Sequence, residues 1–123
     1  TCDVIVNLLL RWARLIETST NEILKRAKTK KKISEISQNP VGRIDQIKKL
    51  FKKNKEFLEV IELYHMFKKI NELKNERTGE FRKNVTLKVF YQGKEININL
   101  EQLKIYSEKL EKFVNTTKQY ILS

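Results

Sequence analysis

The sequence predicts a mainly α-helical domain: a four-helix, bundle-like arrangement with one β-hairpin inserted between the third and fourth helices. Three observations lead there. Apolar residues recur at spacings of three and four over most of the chain, the helical period. Three Gly and one Pro among 123 residues leave few points where a helix must stop. Between residues 85 and 98 the period falls to two on either side of a Gln-Gly pair, the pattern of a hairpin. The length fits one domain, 1–123, around a single modest core.

The first helix is expected over about 3–27. Asp3 would cap it, and Ile5, Leu8, Leu9, Trp12, Leu15, Ile16, Ile23 and Leu24 form its apolar stripe. Residues 28–38 are weakly patterned, with Ile33 and Ile36 available to the core. Asn39-Pro40 reads as cap and first position of a second helix, 40–53, since proline lacks an amide where none is needed. Asn54 separates it from a third helix, 55–77, whose broad apolar side runs from Phe57 to Leu73 and makes it the expected centre of the fold. Thr78-Gly79 would end that helix.

In the hairpin, 85–98, Val85, Leu87, Val89 and Tyr91 alternate with Thr86, Lys88 and Phe90, and Ile96 and Ile98 share a face. Such a ribbon is marginal alone, so it must lie on the helices or meet a second copy of the chain. Asn99 caps a fourth helix, 100–122, with Gln102 three residues on and a stripe from Leu103 to Ile121.

Charge is distributed unevenly. The net formal charge is +11, and residues 25–55 hold twelve cations against two anions, so almost all of the excess lies in one quarter of the chain. Its densest part is KRAKTKKK, residues 25–32. Cations there would face the negative end of the first helix, which explains some of them without any function. A local excess this large also points to a polyanionic partner. Because the run is nearly all lysine, it favours backbone contacts over bidentate base reading.

Other chemistries find little support. Cys2 is the lone cysteine, which suits a reducing cytosol and excludes an internal disulfide. VIVNLLL, residues 4–10, is too short to span a membrane and lacks the preceding cations of a signal peptide. The single histidine, His65, follows Glu62 by three residues, half of a carboxylate-bridged metal motif without its second half. We therefore read His65 as a partly exposed helix residue paired with Glu62, and expect no catalytic, metal or cofactor site. Glu59, Glu62, Glu72 and Glu76 read as a surface salt-bridged to Lys68, Lys69 and Lys74.

The stretch INELKNERTGEF, residues 70–81, closes the third helix in this reading. In that setting the chain resembles the HEPN family, small helical-bundle domains found with nucleotidyltransferases and in toxin–antitoxin systems. Leu73-Lys74-Asn75 is similar to that family's Leu-Arg-Asn. Active members are RNases with an Arg-(four to six residues)-His motif. Here Lys74 stands at the arginine position and no histidine follows, so the resemblance implies a member without the RNase chemistry.

The first functional reading is a non-catalytic, cytoplasmic basic module that binds RNA or DNA backbone through residues 25–55. Its expected contacts are Lys25, Arg26, Lys28, Lys30, Lys31, Lys32, Lys48, Lys49, Lys52 and Lys53. The alternative is a homodimeric interaction or adaptor module whose lysines are solvated surface or meet an acidic protein. A degenerate HEPN-type RNase relative is the third.

Overall fold

The computed structural model describes residues 1–79 and 84–123. It is mainly helical, with four α-helices and a small antiparallel sheet between the third and fourth. Helix α1, Cys2–Thr29, is followed by α2, Pro40–Leu50, and α3, Lys55–Lys68. A 3-10 turn, Ile70–Glu72, leads into three strands: β1, Asn75–Thr78; β2, Thr86–Tyr91; and β3, Lys94–Ile98. Helix α4, Leu100–Leu122, completes the chain.

Caps set the helix starts. Asn39, Asn54 and Asn99 each turn a side-chain oxygen onto a free amide, of Val41, Phe57 and Gln102 respectively. At α1 the cap is Thr1, whose hydroxyl accepts from the Val4 amide, and not Asp3 as the sequence led us to expect. Asp3 lies inside the first turn, and its carboxylate takes Arg77 of β1 at 2.8 Å. Helix α2 ends at Leu50, three residues short of expectation. The chain then turns, with the Asn54 amide donating to the Phe51 carbonyl.

The largest departure lies beyond Lys68. The expected third helix continues to 77, but α3 stops at Lys68 and the backbone tightens, Glu72 N–H donating to the Lys69 carbonyl at 2.8 Å. The apolar spacing Phe67, Ile70, Leu73 fits both windings, because a 3-10 turn repeats every three residues. Ile70 remains buried in the core either way. The chain then extends as β1, which pairs antiparallel with β2 from Asn75↔Val89 to Thr78↔Thr86. The sheet is thus a three-stranded meander, β1-β2-β3, and the expected two-stranded hairpin is only part of it. Gly79 ends a strand rather than a helix. Its φ is +64°, and a Cβ there would come within 2.8 Å of the Asn84 carbonyl oxygen, so only glycine fits.

The β2–β3 turn has positive φ at both Gln92 and Gly93, as a two-residue primed turn requires. One face of the sheet buries Leu87, Val89 and Ile98, joined by Val85, in the helical core. On the opposite face Lys88 lies between Glu76 and Glu95, at 3.8 and 3.6 Å.

Helix α1, not α3, is the hub: it packs against α2, α3, α4 and β2. Its buried stripe runs from Cys2 to Ala27. At the far end of α1 from the sheet, the core is closed by an aromatic series. Phe51 stacks on Phe57 (4.0 Å between centroids), Phe57 stacks on Phe113 (4.5 Å), and Tyr120 tilts onto Phe51 (5.4 Å). The 28 residues of α1 separate its two ends by about 40 Å. The sheet sits at its N-terminal end, where the Cys2 thiol reaches the Thr86 carbonyl. The basic run sits at the other.

Candidate functional site

The basic run leaves α1 through a left-handed residue. Lys31 has φ +62°, the Lys32 amide donates to the Ala27 carbonyl, and the Lys31 amide donates to that of Lys28. This pair of bonds is a Schellman motif, whose left-handed position is usually glycine. A side chain there costs about 1–2 kcal/mol. The chain nevertheless places a lysine at that point.

Four of the six cations of the run divide between two faces. Arg26 and Lys30 turn toward the end of α4: Arg26 donates to the Ser123 carbonyl, and Lys30 reaches the Ser123 hydroxyl while lying over the Tyr120 ring. Lys25 and Lys28 point outward and meet Glu22 at 3.1 Å and Glu35 at 3.3 Å. Lys31 and Lys32 carry no ion pair among the described residues.

Residues 33–38 fold back onto α2. The Gln46 amide group donates to the Glu35 carbonyl and accepts from the Ser37 amide, and Arg43 donates to the carbonyls of Ser37 and Gln38. Ile33 and Ile36 pack on the core as expected. This fold-back brings Lys32 beside α2. Lys32 and Lys49 line one cavity of about 380 Å³, with Ile33, Gln46 and Leu50 between them. Lys49 also borders the adjoining groove over the α2–α3 turn, together with Lys52, Lys53 and Lys55. None of these four has an ion pair among the described residues.

Six lysines, 31, 32, 49, 52, 53 and 55, are therefore without an ion pair on two connected parts of the chain, where Glu35 and Glu56 are the acidic residues bordering the same hollows. Lys30, Tyr120 and Phe51 continue the same end of the molecule from α1 across α4 to the α2–α3 turn. Lys55 was not among the expected contact residues and belongs to this surface. Lys48 does not: it is held by Glu62 at 3.5 Å on the side of α2 facing α3. Exposed pairs of the kind made by Lys25, Lys28 and Lys48 contribute little, ~0–1 kcal/mol, so those lysines stay accessible to a stronger anion.

Three of the four acidic residues of 59–76 are salt-bridged, but to partners from other elements, and Glu72 makes no ion pair among the described residues. Glu59 takes Lys109 of α4 at 2.8 Å, Glu62 takes Lys48 and Glu76 takes Lys88. The break after Lys68 removes the helical spacing that would have offered them Lys69 and Lys74.

His65 lines a cavity of about 310 Å³ between α1, α2 and α3, with Glu17, Arg43, Ile44, Lys48, Tyr64 and Lys68. It is half-buried. Burial pulls its imidazole below the ordinary value; Glu62 opposes this, while Lys48, Lys69 and Lys68 add to it. Tyr64 donates to the Glu17 carboxylate at 3.0 Å, and burial together with that contact pushes its phenol up to about 12. Among the described residues no three His, Cys, Asp or Glu side chains gather as a metal site would require, and no helix is long and apolar enough to cross a membrane. The Leu73-Lys74-Asn75 stretch leads from the 3-10 turn into β1, of which Asn75 is the first residue, and is not at the end of α3; Glu80 to Arg82 lie outside the described residues.

Comparison with family models, with curated proteins and with solved structures gives no match.

Proposed function

We propose that this protein is a non-catalytic module that binds nucleic-acid backbone through the end of the molecule where α1, the α2–α3 turn and α4 meet. The observation that carries the reading is the shared position of Lys49, which borders the cavity containing Lys32 and the groove containing Lys52, Lys53 and Lys55. The remote sheet end holds fewer cations and some of them are matched, Arg77 with Asp3 and Lys88 with two glutamates, while Lys74 and Lys94 make no ion pair among the described residues. A cluster of lysines without ion pairs is the electrostatic footprint of a polyanion partner. Lys31 adds to it, a cation kept where glycine would relieve strain; conformational cost of this kind clusters at functional positions. We also infer a bundle-like helical scaffold, from the packing of α1 on all three other helices.

The test is a salt titration of RNA and DNA binding. If Lys31, Lys32, Lys49, Lys52, Lys53 and Lys55 each meet a phosphate, log K falls with log salt at a slope of roughly −5 on duplex DNA. Absence of binding at low salt would remove the proposal.

A homodimeric adaptor has less behind it, because the apolar face of the sheet is covered by helices of the same chain. A degenerate HEPN-type relationship rests on three residues whose setting differs from the helix end on which the resemblance was drawn.

A further inference from the structure

Resting on that reading, we infer that the basic end recognises double-stranded nucleic acid through its phosphates and without regard to base sequence. Groups that would read bases are already engaged. Arginine is the side chain suited to bidentate base contacts, and both arginines of residues 25–55 are spent on main-chain carbonyls, Arg26 on Ser123 and Arg43 on Ser37 and Gln38. The cations of this end that make no ion pair among the described residues are all lysines, which act as point charges.

Single-strand binding typically adds aromatic platforms on which unpaired bases stack. The two partly exposed rings at this end are Phe51 and Tyr120, and each is occupied. Phe51 lies flat on Phe57, 15° from parallel, and Tyr120 tilts onto it at 56°. Tyr120 carries the Lys30 ammonium 4.7 Å from its ring centroid. Trp12 packs against Phe67, and Phe90 lies on the sheet near Lys74. With stacking and base reading both absent from the surface, affinity follows phosphate density. That density is greatest on a duplex, about one charge per 1.7 Å of axis.

The experiment compares a short fluorescent duplex with its two separated strands by anisotropy at about 50 mM salt, over several base compositions. The inference expects the duplex to bind several-fold tighter than either strand, with less than about twofold variation among compositions and a steeper salt slope, near −0.9 against −0.7 per phosphate contacted. Tighter binding of single strands, or a preference of about tenfold among sequences, overturns it while leaving the broader reading in place. Failure of every probe to bind overturns both.

Discussion

Lys32 and Lys49 wall the same cavity although a loop and most of a helix separate them in the chain. They meet because residues 33–38 are tied to α2 through Gln46 and Arg43. Replacing Gln46 by Ala removes both of its main-chain bonds. We expect Gln46→Ala to cost about 1–2 kcal/mol, from two net hydrogen bonds, and to weaken polyanion binding without touching a cation. Urea melts and a binding isotherm on the same preparation check this; unchanged binding would separate the loop from the surface.

Lys31 sets stability against charge. Lys31→Gly relieves the left-handed strain and gives back part of the gain through the freer unfolded chain, so we expect a net stabilisation of about 0.5–1 kcal/mol. The same change removes one cation and should lower the salt slope by about 0.9. A variant that is more stable and binds less is the predicted pair of results, measured by denaturation and by anisotropy.

Gly79 should not tolerate alanine. The positive φ and the approach of the Asn84 carbonyl act together, and Gly79→Ala is expected to lose about 1–3 kcal/mol in urea unfolding. A neutral result would contradict the turn that ends β1.

The pH dependence has two signatures. His65 is depressed in the folded protein, so the unfolded chain binds its proton more readily. Its contribution is complete above the ordinary value near 6.5 and is lost as pH falls from there through the folded value. As the chain's sole histidine, it gives a single imidazole NMR titration, expected to centre below 6.5. Tyr64 has the opposite sign: raised from 10.0 to about 12, it contributes stability present below 10.0 and lost as pH rises toward 12. Tyr64→Phe should remove that alkaline loss.

Much of the fold was legible in the sequence, and the misses have physical causes. Helix α4 falls at 100–122 because Asn99 caps it and an unbroken stripe from Leu103 to Thr117 buries one face. The β2–β3 hairpin was legible through alternation and the Gln-Gly turn. Strand β1 was not, since Asn-Glu-Arg-Thr is exposed at all four positions and carries no apolar alternation. The overlong third helix came from Ile70 and Leu73, whose spacing suits a 3-10 turn equally well. Asp3 looked like a cap because it is the better acceptor, yet Thr1 precedes the helix and Arg77 claims the carboxylate. The basic segment was visible as composition, but its division into ion-paired, aromatic-packed and remaining lysines was not. That division depends on Glu35, Glu62, Tyr120 and Ser123, which the order of residues does not bring near.

The most direct measurement is the salt dependence of duplex binding by Lys32→Glu/Lys49→Glu/Lys53→Glu, set against an equally charge-reversed Lys94→Glu/Lys104→Glu/Lys112→Glu control, three exposed lysines without ion pairs among the described residues. If the end of the molecule around Lys49 is the binding surface, the first variant loses at least about three units of slope from roughly −5, and the control stays near the wild-type value. Equal losses in the two variants would show that net charge alone governs binding and would contradict the account.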